Sequence, residues 1–142
     1  MKMTIQSCIN FAKHNPTCYL ATVEGDQPHV RALGLWFADE SGFYFQTGMI
    51  KDFCKQLMQN PKTEVCFYND GNLKSTMLRI IGKVEFIDDI KLKEKVIEDR
   101  PFLKTFGLTP DSPRLVIFRI SHGQALFWTM ESNIKPKEII EF

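Results

Sequence analysis

The chain has 142 residues, with 18 Lys or Arg against 17 Asp or Glu, a formal net charge of +1, and 44% hydrophobic and 25% charged residues. Those proportions are ordinary for a globular protein, and the length leads us to expect one domain over residues 1–142. The balance excludes a broad basic nucleic-acid surface, no apolar run reaches the roughly 18–20 residues of a membrane-spanning helix, and residues 1–5 lack the apolar stretch of a secretory signal.

Residues 3–14 read as an amphipathic helix, with Ile5, Cys8, Ile9 and Ala12 on one stripe and Asn15-Pro16 as its stop. The period then changes to two. Residues 18–23 form a short strand closed by the turn Glu24-Gly25-Asp26-Gln27. Pro28 opens a second strand over 29–37, and a turn at 38–42 leads into a third over 43–47. Two hairpins in succession imply an antiparallel meander and exclude a Rossmann arrangement, whose parallel strands need long crossovers.

Residues 50–60 carry the clearest helical pattern: Ile50, Phe53, Cys54, Leu57 and Met58 recur at i, i+3, i+4, i+7 and i+8, and Asn60-Pro61 ends it. A fourth strand covers 63–68, Asn69-Asp70-Gly71-Asn72 is a turn, and a long fifth strand covers 75–87. Gly82 interrupts that strand and marks a bulge or a bend where a closing sheet turns a corner. Asp88-Asp89 caps a charged helix to residue 99, with Ile90, Val96 and Ile97 directed inward. A short helical piece at 101–106 stops at Gly107, a loop follows at 108–113, and two last strands, 114–121 and 124–129, hinge at His122-Gly123. Residues 131–142 are less regular; Ile139, Ile140 and Phe142 either dock, on the body or at an interface, or fray. The expected fold is mainly β, six to seven antiparallel strands with helices between some of them, a sheet that either closes into a β-barrel with α-helices or leaves edges exposed.

Cys8, Cys18, Cys54 and Cys66 show no metal-knuckle spacing and sit among apolar neighbours, as buried thiols of a reducing cytoplasm do. No nucleophile elbow, P-loop, H-E-x-x-H or paired metal-ligand spacing occurs, so no metal is expected. His14 falls in a last helical turn, His122 precedes a turn glycine, and His29 opens a strand where it would face a cleft. Arg31 is different. It shares an apolar strand face with Leu33, Leu35 and Phe37, where a charge needs a partner. The next strand ends at Gln46-Thr47-Gly48 and feeds the clear helix, whose first turn carries Lys51 against the positive end of the dipole. Two readings stand open. In one, Thr47, helix N–H groups, Arg31 and Lys51 converge on a phosphate. In the other, Arg31 pairs with a carboxylate and Lys51 is an ordinary surface residue.

The runs Cys18-Tyr19-Leu20-Ala21-Thr22-Val23 and Pro28-His29-Val30-Arg31 resemble the opening of the pyridoxamine 5′-phosphate oxidase-like, FMN-binding split-barrel family. Gly42-Phe43-Tyr44-Phe45-Gln46-Thr47, then Lys51, Leu57 and Asn60-Pro61-Lys62-Thr63-Glu64-Val65, continue the likeness, and Leu78-Arg79-Ile80-Ile81-Gly82-Lys83-Val84 is similar to the family's long strand. The resemblance implies a split barrel that forms a homodimer with two FMN sites at the subunit interface. It places Arg31, Ala32 and Leu33 on the FMN strand with Arg31 on the phosphate, Gln46 and Thr47 near the flavin and phosphate, and Lys51 as a second phosphate cation. Trp128 becomes a candidate to cover the flavin ring from the partner chain.

Departures matter as much. True pyridoxamine phosphate oxidases carry adjacent Arg-Lys after the threonine, a glutamine on the long strand and an arginine in the C-terminal segment. Here Asp52 follows Lys51, Met77 stands near the glutamine's place, and residues 131–142 contain no arginine. The sequence resembles the short members similar to nitroimidazole-resistance reductases. The expected function is therefore an FMN-dependent oxidoreductase that is not a pyridoxamine phosphate oxidase, with no catalytic side chain assigned, since the flavin ring carries the electrons. Two alternatives remain: a flavin- or haem-binding module without turnover, with His29 or His122 as haem ligand, and a structural dimer with a degenerate site.

Overall fold

A computed structural model describes residues 3–142; of the stretch read for a secretory signal, Met1 and Lys2 lie outside it. The helix α1 (Ile5–His14) starts where Thr4 and Ser7 form a reciprocal capping box, and its buried stripe is Cys8, Ile9 and Ala12. Then come β1 (Thr17–Glu24), β2 (Gln27–Gly34), β3 (Phe37–Asp39), β4 (Gly42–Gly48), α2 (Asp52–Gln59), β5 (Lys62–Asn69), β6 (Thr76–Lys83) and β7 (Glu85–Ile87). The chain ends with α3 (Ile90–Asp99), α4 (Phe102–Thr105), β8 (Leu115–Ile120), β9 (Gly123–Thr129) and β10 (Ile139–Glu141).

These strands form an antiparallel split barrel of two sheets, ordered β10-β9-β6-β5-β1-β2 and β3-β4-β8-β7. Two segments that read as continuous strands are each divided. The strand expected over 29–37 stops at Gly34, and Leu35-Trp36 carries the chain into the second sheet. The strand expected over 75–87 breaks at Val84, two residues beyond Gly82, and likewise changes sheet. The cause is common to both: a barrel built from two sheets needs corners, and hydrophobic alternation continues through a corner without recording it. Arg31 therefore shares its face with Leu33 but not with Leu35 or Phe37, which are past the corner.

Leu20, Phe43, Phe45, Val65, Phe67, Leu78, Ile80, Phe118 and Ile120 fill the barrel, with α1 and Leu57 of α2 closing its open sides. A second core lies outside the four-stranded sheet, where Tyr44, Leu115 and Ile117 meet Val96, Ile97 and Leu103 of α3 and α4. Strand β4 is thus covered on both faces, which explains its unbroken apolar run. Ile90, expected to point inward, is about half exposed, while Asp89 caps α3 as the sequence indicates. The tail docks on the body: β10 pairs with β9, and the Phe142 ring meets Phe43 edge-on at 5.7 Å. All four cysteines are free thiols, and burial pushes Cys8 up to about 11 and Cys18 up to about 12. No helix among the described residues is long and apolar enough to cross a membrane.

Candidate functional site

The corner after β2, the end of β4, the start of α2 and the α3–α4 hairpin enclose a cavity of about 570 Å³. That volume lies within the roughly 300–1,000 Å³ of small-ligand sites. Ala32, Leu33 and Gly34 form one wall, Gln46, Thr47 and Gly48 the floor, and Ile50, Lys51 and Phe53 a second wall. Arg100, Phe102, Leu103, Phe106, Leu108 and Arg114 complete the enclosure.

Each polar member has a local reason for its place. Gln46 alternates with the barrel-facing Phe45, so it points toward α3, where its Oε1 accepts from Arg100 Nη1 at 3.3 Å. Thr47 is 8% exposed, and among the described residues its hydroxyl has no hydrogen-bond partner. Lys51 stands at the N-cap of α2, one residue before the first turn, and gives no side-chain capping bond; Cys54 N donates to the Lys51 carbonyl at 3.1 Å, and among the described residues the Asp52 and Phe53 N–H groups are left without an acceptor. Arg100 caps α3 and is tied to the sheet through Gln46 and the Leu35 carbonyl. Arg114 enters β8 beside α2, its carbonyl accepting from Met49 N at 2.9 Å.

The charge pattern is one-sided. Lys51, Arg100 and Arg114 all line the cavity, and among the described residues no Asp or Glu does. Among the described residues, none of the three makes an ion pair within 4.0 Å. Burial pulls the Arg100 guanidinium down from its ordinary range, with Asp99 opposing the shift. Such a cluster of like charges in a half-enclosed space is stabilised by an anion.

Ala32, Leu33, Gln46, Thr47 and Lys51 thus come together as the sequence suggested. Arg31 stands apart, outside the lining. Its Nη1 donates to Leu20 O at 3.2 Å and Thr22 Oγ1 at 2.8 Å, and its Nη2 to Gln56 Oε1 at 3.0 Å. The guanidinium lies 5.3 Å from the centre of the Phe53 ring, behind the wall that Phe53 forms. These acceptors are neutral, and among the described residues no carboxylate pairs with Arg31. Burial alone lowers its pKa. Trp128 lies on the outer face of the six-stranded sheet, opposite Met77, with its indole N–H on Asn133 Oδ1 at 2.8 Å.

Arg100 and Arg114 were missed from sequence. Both follow or precede irregular segments, Arg100-Pro101 and Pro113-Arg114, where no periodicity assigns a face. The three histidines are elsewhere. His14 bonds Asn10 O within α1, His29 lies 3.9 Å from Glu24, and His122 bonds the Ser121 hydroxyl.

The profile of the pyridoxamine 5′-phosphate oxidase family matches residues 5–129. No curated protein sequence matches the chain. Among solved structures, the chain is similar to a NimC/NimA family protein from Clostridium acetobutylicum, with 28% identity over 96% of this chain and 92% of that one and a TM-score of 0.80. It is similar in fold to the general stress protein 26 of Bacillus anthracis, at 22% identity, 99% and 100% coverage and a TM-score of 0.75. It also shares its fold with an FAD-binding protein from Mesorhizobium loti, at 19% identity, 88% and 92% coverage and a TM-score of 0.69.

Proposed function

The chain belongs to the pyridoxamine 5′-phosphate oxidase family, and on that premise we propose an FMN-binding flavoprotein, an FMN-dependent oxidoreductase acting on a small molecule as a cytoplasmic homodimer. One observation carries the reading: a cavity that has Lys51, the Thr47 hydroxyl and a helix N-terminus at one end, with no Asp or Glu among the described lining residues, walled elsewhere by Leu33, Phe53, Leu103 and Phe106. A phosphate and a flat apolar ring need those two environments side by side.

In this reading Lys51, Thr47 and the first-turn N–H groups of α2 bind the phosphate, with Arg114 beside them. Leu33 and Phe53 pack on the ring, and Arg31 holds Phe53 in place from behind. Bound FMN supplies the electron transfer itself. Among the described residues the lining contains no His, Asp, Glu, Cys or Tyr, and in this reading the chain's own residues position the cofactor, exclude water and set the polarity around it. The displacement of Arg-Lys by Lys51-Asp52 and the tail without arginine argue against pyridoxamine phosphate as substrate. A haem site has less support, because neither His29 nor His122 lines the cavity.

A homodimer is supported by the outer face of the six-stranded sheet. Tyr19, Cys66, Tyr68, Met77, Leu126 and Trp128 share that face by cross-strand register. Tyr19 and Tyr68 are 47% and 44% exposed, so the face is open to a partner. A second copy seated there would bury it and bring Trp128 toward the partner's cavity.

The test is a flavin titration of purified protein followed by absorbance and fluorescence. FMN is expected to bind at micromolar affinity or tighter, riboflavin at least tenfold more weakly, and Lys51→Ala to bring FMN close to the riboflavin value. Bleaching by NAD(P)H then identifies an oxidoreductase, whereas bleaching by dithionite alone identifies a flavin carrier. Protein that ignores all flavins refutes the proposal.

A further inference from the structure

We propose that Arg100 is a specificity residue for a second ligand in this cavity, a planar aromatic carboxylate that enters beside the flavin; the inference rests on the flavin reading and names its substrate class. The cations stand at different parts of the cavity. Lys51 adjoins the Gly48-Met49 turn, Arg114 meets that turn through its backbone carbonyl while its guanidinium donates to Gly107 O at 3.5 Å, and Arg100 lies toward the β2 corner, 4.0 Å from where a Cβ on Gly34 would stand, and bonds Gln46. Gln46 and Gly48 are two residues apart on β4, about 6.6 Å at the usual strand rise. One phosphate is met by the Lys51 end, with Thr47 and the α2 N–H groups, and this leaves Arg100 over.

Arg100 is fixed yet unspent. Two of its N–H groups are used, on the neutral acceptors Gln46 Oε1 and Leu35 O, out of the five a guanidinium carries. Its neighbour Asp99 is occupied elsewhere, accepting from Lys95 Nζ at 2.9 Å and Trp36 Nε1 at 3.0 Å. A rigid fork held at one edge with its remaining donors unpaired suits a carboxylate, which it can grip at two oxygens. The aromatic part follows from what flanks it. Phe102 and Phe106 line the same cavity, lie edge-to-face at 6.4 Å, and are 49% and 66% exposed. Two exposed rings next to a half-buried cation offer apolar contact and charge to one flat anion.

The experiment titrates 2-naphthoate and its neutral isostere 2-naphthamide into wild-type, Arg100→Gln and Arg100→Lys protein by calorimetry, with FMN affinity measured first on each. The expected result is at least tenfold preference for naphthoate, loss of that preference in Arg100→Gln, partial retention in Arg100→Lys, and FMN affinity within twofold throughout. Equal binding of the two probes to wild type overturns the proposal without recourse to any variant, as does naphthoate that fails to bind. So does an Arg100→Gln variant that weakens FMN as much as naphthoate, since Arg100 is then a phosphate residue. Wild-type protein that binds no flavin defeats the flavin reading alone; naphthoate preference on that flavin-free chain, lost in Arg100→Gln, still establishes the anion site.

Discussion

Arg31 and Lys51 looked alike in the sequence, two cations near one helix, and the fold gives them different work. Arg31 reaches back under Phe53 to Leu20 O, Thr22 and Gln56, of which Thr22 is 1% and Gln56 7% exposed. Removing its fork strands buried acceptors, and charge-assisted bonds of this kind contribute about 1.5–3 kcal/mol each. Arg31→Met is therefore expected to lower unfolding stability by about 2 kcal/mol in urea titration, most of it from the lost network. Lys51 is exposed and makes no ion pair among the described residues. Lys51→Ala should leave the urea midpoint unchanged while weakening FMN. If Lys51→Ala lowers stability and Arg31→Met does not, the two roles assigned here are reversed.

At the scale of elements, the corners decide where the site forms. Gly34 and Leu35-Trp36 turn the chain out of one sheet and into the other, opening the wall against which Arg100 rests. Gly82 and Gly123 face each other across β6 and β9 beside the second corner. A Cβ on Gly123, whose φ is 156°, would press into the Ile81 carbonyl oxygen, and one on Gly82 would stand 2.8 Å from His122 O. Both obstacles are backbone and cannot step aside. Gly25, at φ 63°, has nothing within 4 Å of its would-be Cβ. Gly25→Ala should thus cost only the left-handed backbone penalty of about 1–2 kcal/mol. Gly123→Ala should cost about 3 kcal/mol or more, because overlap adds to it. Equal melting-temperature losses for the two variants would contradict the close crossing of β6 and β9.

For the whole molecule, the two sheets have opposite fates. The four-stranded sheet is covered inside by the barrel core and outside by α3 and α4. The six-stranded sheet has the core on its inner face, and its outer face carries Tyr19, Tyr68, Met77, Leu126 and Trp128 beside the ion pair of Arg79 with Glu64. Met77 sits in that face between Tyr68 and Trp128. A second copy seated there would bury Met77, so Met77→Glu is expected to convert a dimer to a monomer in sedimentation equilibrium at micromolar concentration. On the proposed dimer, whose second copy completes the site, FMN affinity should fall with it. A Met77→Glu protein that stays dimeric places the interface elsewhere.

The sequence alone determined the order of helices and strands, the antiparallel class and most of the cavity floor, because these follow from local periodicity and turn chemistry. The strand ends at Ala32-Leu33 and Gln46-Thr47 and the N-terminus of α2 were legible for that reason. Only the tertiary structure decided which strands break at corners, that Arg31 turns away from the cavity, and that Arg100 and Arg114 enter it. Those outcomes depend on contacts between residues distant in the chain, such as Arg100 with Gln46, 54 positions apart. The net charge of +1 records none of this, since a sum over the chain cannot show that three cations gather where no acid stands.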